Sequence, residues 1–201
     1  MSLSTTWYHG TLFSEIQEFK PFTHFGSRHV AFFNVDCCKQ EKYRIDPSVV
    51  INPTIYKISI RFDESEVLTI KDWLTPRSIG LAFGLRDHFK KKEDAKSKEY
   101  SVRFNEICES LAGKSDLHFN FDQIQAMLKR MGIKVLAYEN EVETDDKEIS
   151  ICIVDTSVIN FDSIEKVKVT NKLIKEIKSK NPNMKEQIRP LGFIPYEYDD
   201  E

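Results

Sequence analysis

Apolar and polar residues alternate most clearly in the segment 54–62, where Ile58, Ile60 and Phe62 fall on one face. A period of two predicts a β-strand that buries this face. Shorter apolar segments bounded by turn-forming residues predict further strands at 7–9, 66–70, 133–138, 149–154 and around 167–169.

Apolar residues that are three and four positions apart predict helices, most of them in the middle of the chain. The predicted helices lie at 27–42, 79–85, 104–111, 121–131 and 171–178. Ser27 is placed to cap the first of them, and Gly132 is placed to end the fourth. The segment 90–100 carries both Lys and Glu, which favours a solvated helix face or a loop; the alternative is a substrate-docking patch.

The order of strands, then helices, then strands predicts an α+β fold rather than a βαβ winding. The 201 residues fit one domain, 1–201, and we see no internal repeat. Within it we expect a core over 7–159, a helical segment over 76–131 inserted between strands, and a C-terminal extension over 160–201.

Composition and charge narrow the class of protein. Hydrophobic residues make up 40% and charged residues 30%, which is ordinary for a soluble globular protein. The formal net charge of −3 gives no general reason to expect a nucleic-acid partner. No apolar stretch is long enough to span a membrane, and residues 1–6 show no secretory leader. We therefore expect a cytoplasmic protein without a membrane partner; the oligomeric state stays open.

The four cysteines are Cys37, Cys38, Cys108 and Cys152. They form no CxxC pair and no Cys/His cluster of the kind that binds a metal, so no metal site is expected. Each has apolar neighbours, which favours buried free thiols and a reducing compartment.

A first candidate for chemistry is the segment His9-Gly10-Thr11 at the end of a predicted strand. Glycine allows another molecule to approach the backbone, whose N–H and C=O can bond a planar carboxamide. A neighbouring imidazole can hydrogen-bond a ribose hydroxyl. The alternative is a simple turn at the end of the strand.

A second candidate is the segment His24-Phe25-Gly26-Ser27, which precedes a predicted helix. The Phe25 ring can stack on a planar aromatic ligand. The alternative is a core phenylalanine followed by a capped helix.

A third candidate is the acidic stretch that follows the predicted strand 133–138, with Asn140, Glu141 and Glu143. Carboxylates beside a cleft can stabilise positive charge that develops on a ribose. Glu141 and Glu143 point the same way if the strand continues. The alternative is an acidic solvated turn.

These three segments, in this order, resemble the ADP-ribosyltransferase superfamily, in particular bacterial and phage-encoded members with a His-Gly-Thr first motif. The segment 56–60, with Leu68 and Asp72-Trp73 after it, is similar to the strand pair that follows in those proteins. The segment 132–155 resembles their last block, of the kind Tyr-x-Asn-x-x-Glu. The resemblance covers residues 7 to about 159.

The resemblance implies a split, strongly curved β core with NAD in the cleft between two small sheets. It implies that His9 contacts a ribose, that the Gly10 backbone holds the carboxamide, and that Phe25 packs on the nicotinamide. Glu143 takes the place of the catalytic carboxylate, with Glu141 as the competing candidate. The expected NAD-binding residues are His9, Gly10, Thr11, His24, Phe25, Ser27 and Asn140.

The activity that the resemblance implies is mono-ADP-ribosyl transfer from NAD to a protein acceptor, as in effectors or toxins that work in a host cytosol. NAD is then a substrate, and no metal is required. The alternatives are an NAD glycohydrolase, a transferase to nucleic acid, and a non-catalytic binding module with the same fold. Related members with a histidine in the first motif commonly have a stacking tyrosine in the second, where this chain has Phe25 or Phe32. The Glu-x-Glu spacing is typical of arginine-modifying members, which usually begin with arginine, so the acceptor residue stays open.

Overall fold

Seven strands and five helices organise the described part of the protein. The computed structural model describes residues 2–11, 16, 18–32, 35, 52–114, 119–140 and 148–180. The strands are β1 (Ser2–Thr11), β2 (His24–Phe25), β3 (Thr54–Asp63), β4 (Val67–Thr69), β5 (Val135–Glu139), β6 (Ile149–Ile153) and β7 (Ile159–Lys168). The helices are α1 (28–32, with residue 35 also helical), α2 (Ser78–Lys90), α3 (Ala95–Leu111), α4 (Asp122–Arg130) and α5 (Asn171–Lys180).

The first sheet has three antiparallel strands in the order β1-β3-β7. β1 pairs with β3 in unbroken register from Ser2 opposite Asp63 to Thr11 opposite Thr54. The pairing of β3 with β7 shifts register between Lys57 and Ser59. The predicted strand at 7–9 is thus the last part of a strand of 10 residues.

The second sheet has four strands in the order β2-β6-β5-β4. β2, β6 and β5 are antiparallel neighbours, whereas β4 runs parallel to β5. Parallel neighbours need a crossover connection, and here α2, α3 and α4 supply it between β4 and β5. The helical segment therefore lies between strands, as the sequence predicts.

Three apolar clusters hold the layers together. The inner cluster lies between the two sheets and contains Phe25, Tyr56, Ile58, Ile60, Val135, Ile151, Ile153 and Ile159. A second cluster packs α2, α3 and α4 on the outer face of the second sheet, through residues such as Leu81, Phe104, Leu128, Leu136 and Cys152. A third packs α1 and α5 on the outer face of the first sheet, through Ala31, Phe32, Val35, Ile55, Leu173 and Ile177.

The α+β class predicted from the sequence is confirmed. Gly132 follows α4 with a φ of 78°, the left-handed conformation that ends a helix, so its predicted role is also confirmed. α3 begins at Ala95, earlier than the apolar pattern indicates, because the Asp94 side chain accepts a hydrogen bond from the Ser97 amide over 2.8 Å. Most of the charged segment 90–100 is therefore helical.

The end of the chain contributes more to the core than the sequence indicates. The whole of β7 lies beside β3, although only its last residues were expected to form a strand. Leu173 and Ile177 of α5 are buried against the first sheet. The core thus continues beyond residue 159, where the extension was expected to begin.

Two of the four cysteines are described, and Cys108 and Cys152 are buried free thiols as expected. Burial raises the pKa of the Cys152 thiol, so it stays protonated and unreactive. Cys37 and Cys38 lie outside the described residues. No helix within the described residues combines the length and the apolar character needed to cross a membrane.

Candidate functional site

The two sheets meet where β1 approaches the residues that follow β2. The Tyr8 amide donates to the Gly26 carbonyl and the Gly26 amide donates to the Tyr8 carbonyl, each over 2.9 Å. One residue further along β1, Nδ1 of His9 lies 2.8 Å from the His24 carbonyl oxygen. The structure therefore brings the first and second candidate motifs together at one sheet junction.

The contact with a carbonyl decides which nitrogen of His9 carries hydrogen. A carbonyl oxygen only accepts, so Nδ1 is the donor and Nε2 carries the lone pair when the ring is neutral. Burial lowers the pKa of His9, although the contact with the His24 backbone opposes this. His9 is thus a neutral imidazole whose Nε2 can accept a hydrogen bond, as contact with a ribose hydroxyl requires.

Phe25 supports the His9 ring from within the core. The centroids of the Phe25 and His9 rings lie 5.5 Å apart. The Phe19 ring packs edge-to-face with His9, at a centroid distance of 5.6 Å. Phe25 is only 1% exposed and packs in the cluster between the sheets. The sequence allows either a ring that stacks on a ligand or a core side chain, and in this structure Phe25 is a core side chain. Phe32 is also buried, on the outer face of the first sheet.

His24 points away from Phe25, because neighbouring residues of a strand face opposite sides of the sheet. Its Nδ1 lies 2.7 Å from the Tyr138 hydroxyl, and its ring packs against Trp73 at a centroid distance of 5.3 Å. Burial, with a smaller effect of the neighbouring His9, lowers the pKa of His24 to about 4, while Asp72 opposes this shift. His24 is therefore neutral near pH 7.

The Tyr138 and Trp73 rings complete this second group, with their centroids 4.9 Å apart. Both residues lie in segments that carry the family resemblance, but the sequence pattern predicts no role in a site for either. Tyr138 lies 114 residues from His24 along the chain, so only the pairing of β2, β6 and β5 reveals the contact.

Gly10 has a packing role in this structure. A Cβ atom there would overlap the Ala31 carbonyl oxygen of α1 and lie 2.7 Å from Cγ2 of Val35. The glycine thus allows α1 to lie directly on β1. Thr11, the last residue of β1, is half-buried and pairs with Thr54.

The third motif reaches the junction through Ser150 of β6. Asn140 is buried and donates from Nδ2 to Oγ of Ser150 over 2.9 Å. The same Ser150 oxygen would lie 3.1 Å from a Cβ at Gly26. Asn140 and Gly26 therefore approach Ser150 from two sides, and the second and third motifs form one contiguous cluster.

Ser27 caps α1, as predicted, with its Oγ 3.4 Å from the Val30 amide and 3.0 Å from Nδ1 of His29. Nε2 of His29 in turn lies 3.4 Å from Oε2 of Glu148. His29 and Glu148 are not among the site residues predicted from the sequence. The available signal was the short spacing of Ser27 and His29 in the first turn of a helix.

Glu141 and Glu143, the two candidate catalytic carboxylates, lie outside the described residues. The described chain ends at Asn140 on one side of them and resumes at Glu148, whose carbonyl oxygen accepts from the Asn140 amide over 2.8 Å. Among the described residues, no three His, Cys, Asp or Glu side chains are grouped so that they could hold a metal ion.

No family model, curated protein or solved structure matches this chain. A function is therefore inferred from the residues themselves and from the geometry of the junction between the sheets.

Proposed function

We propose that the protein binds NAD at the junction of its two sheets and transfers ADP-ribose from it to a protein acceptor. The observation that carries this proposal is the convergence of three segments that are far apart in sequence. His9 contacts the His24 backbone, Tyr8 pairs with Gly26, and Ser150 links Gly26 to Asn140. Polar groups that converge at one place from distant segments are a feature of ligand-binding sites, which supports the proposal.

His9 is the residue whose chemistry is clearest. Because its Nδ1 donates to a backbone carbonyl, Nε2 of the neutral ring is an acceptor, which suits a hydroxyl of the NAD ribose. The Phe19 and Phe25 rings restrict the orientation of the imidazole. A ring held in one orientation loses little entropy when it binds a ligand.

The proposed reaction breaks the bond between the nicotinamide nitrogen and the ribose carbon, and nicotinamide leaves with the electron pair. Positive charge then develops on the ribose, and a nearby carboxylate stabilises it. Glu143, or Glu141 in its place, takes this role. A nucleophilic side chain of the acceptor protein attacks the same ribose carbon and loses its proton. A net charge of −3 favours a protein acceptor over nucleic acid.

The test uses NAD that carries separate labels on its nicotinamide and adenosine parts, incubated with the protein and a cell lysate. We expect free nicotinamide together with adenosine label on a protein. Glu143→Gln and Glu141→Gln identify the carboxylate, because the essential one loses turnover by roughly a hundredfold or more. Glu99→Gln on exposed α3 is the matched control and keeps wild-type turnover.

Each remaining outcome assigns a different function. Free nicotinamide without labelled protein identifies an NAD glycohydrolase, and label on RNA or DNA identifies a nucleic-acid transferase. NAD binding in calorimetry without turnover identifies a binding module. Absence of NAD binding at millimolar concentration rejects the proposal as a whole.

A further inference from the structure

A series of polar side-chain contacts runs from the first turn of α1 through Ser27 and His29 to Glu148. The Val30 amide lies 3.4 Å from Oγ of Ser27, which accepts from it and can then donate its own proton to Nδ1 of His29 over 3.0 Å. A ring that accepts at Nδ1 carries its hydrogen on Nε2, which faces Oε2 of Glu148 at 3.4 Å. All donors thus point in one direction, toward the carboxylate.

Burial restricts the side chains of His29 and Glu148 to different degrees. The His29 side chain is only 4% exposed, whereas that of Glu148 is 32% exposed. Oε2 of Glu148 is nevertheless buried and makes no hydrogen bond within the described residues. A buried carboxylate oxygen is costly unless a neighbouring group offsets its charge, and among the described residues His29 is the one that faces it.

Glu148 also contacts the third motif, through its backbone. Its backbone carbonyl accepts from the Asn140 amide, and Asn140 binds Ser150 beside Gly26. The residue after Gly26 is Ser27, the first side chain of the series that leads to Glu148. Contacts therefore run from Ser27 through His29 and Glu148 to Asn140, and Ser150 connects Asn140 back to Gly26, next to Ser27.

We propose that His29 is a positioning residue that holds the Glu148 carboxylate beside Asn140, so that Glu148 binds the ribose hydroxyls of the ligand. A carboxylate with one oxygen fixed by His29 presents the other in a defined direction, which suits a hydroxyl donor. The ribose contact rests on the proposed function, but the positioning of Glu148 by His29 does not; the Asn140 amide reports on it because that amide donates to the Glu148 backbone carbonyl.

Three single variants and one double variant test the inference, each first checked for folding by urea denaturation. His29→Leu removes the ring donor. We expect the rate of hydrogen exchange at the Asn140 amide to rise by on the order of tenfold, and the Kd for NAD to rise to a similar extent. His29→Gln keeps a side-chain amide donor and restores most of both values. Glu148→Gln weakens NAD binding to a similar extent, and its combination with His29→Leu adds little, because the two residues act in series.

The controls are His88→Leu on α2 and Glu99→Gln on α3, which lie on the helical layer outside the cluster. Wild-type exchange at Asn140 in a folded His29→Leu variant overturns the positioning role. Unchanged NAD binding by folded Glu148→Gln overturns the ribose contact while the proposed function stands. If the wild-type protein binds no NAD, the proposed function and the ribose contact fail together, and the exchange measurement still decides the role of His29.

Discussion

Tyr8 and Gly26 exchange two backbone hydrogen bonds of 2.9 Å and so join the edge of one sheet to the edge of the other. Edge strands otherwise leave backbone groups without partners, and here a two-residue pairing uses them to connect the layers. His9 and His24 come into contact at this junction. The candidate site is therefore built on a backbone connection between the two sheets.

The two glycines of the first and second motifs are required by packing. Gly10→Ala would place a methyl group on the Ala31 carbonyl, and Gly26→Ala would place one 2.6 Å from Cγ1 of Val30. We expect Gly26→Ala to lower the free energy of unfolding by about 1–3 kcal/mol, and Gly10→Ala by more, because backbone yields less than a side chain. Urea denaturation measures both.

Gly84→Ala on α2 is the matched control for the two glycines. Its added Cβ would lie 3.4 Å from Cβ of Trp73, an ordinary contact distance. We expect it to be neutral or to stabilise the protein by up to about 1 kcal/mol, since alanine favours a helix. Equal effects of all three substitutions would contradict the packing role.

The hydrogen bond between Tyr138 and His24 links β5 to β2 across the second sheet. Tyr138→Phe removes the hydroxyl and leaves Nδ1 of a buried ring without this partner. We expect a loss of about 1–2 kcal/mol in the free energy of unfolding. Tyr100→Phe, on α3, controls for loss of a hydroxyl and should change stability little; an equal loss in both variants would show that the His24 contact contributes nothing.

Acid should destabilise the protein partly through His24. The pKa of this side chain falls from 6.5 to about 4 on folding, chiefly because the ring is buried. Between these values the unfolded chain binds a proton that the folded chain does not, so stability falls as pH is lowered from about 6.5 to about 4. The full effect is up to about 3 kcal/mol.

His24→Gln tests this pH dependence, since glutamine does not titrate and can still bind the Tyr138 hydroxyl. The difference in unfolding free energy between wild type and variant is measured from about pH 7 to about pH 4.5, where the His24 contribution is lost. A difference that does not change with pH would show that His24 does not titrate in this way.

The last described helix should be part of the folding unit. Ile177 of α5 is 2% exposed and packs in the cluster on the first sheet. We expect Ile177→Ala to cost about 3 kcal/mol, as for other large apolar residues truncated in a core. Lys175→Ala, exposed on the same helix, should stay within about 0.5 kcal/mol of wild type. A small effect at Ile177 would show that α5 is an appendage.

Elements with a strong apolar period could be predicted from the sequence, whereas most of the edge strand β7 could not. β3 has buried residues at alternate positions and was predicted almost to its bounds. β7 has mostly half-buried or exposed residues, and its pairing with β3 is interrupted by a register shift. Its stability comes from backbone hydrogen bonds to β3, which leave no pattern in the side chains.

The candidate site shows the same division. Adjacency in sequence suggested that His24 and Phe25 act together, but the strand directs them to opposite faces, toward Tyr138 and His9 respectively. The contact of Ser27 with His29 is local, whereas the contact of His29 with Glu148 spans distant parts of the chain. No spacing rule indicates the second contact.

By itself, the sequence determined the α+β class, the central helices with the Gly132 stop, and the segments that carry His9, His24 and Asn140. Local periodicity and capping encode these features, because they depend on neighbours within a few residues. The tertiary structure alone decided that β1 meets Gly26, that Gly10 admits α1, and that Glu148 lies against His29. These contacts depend on how two sheets and their helices pack, which only the whole chain specifies.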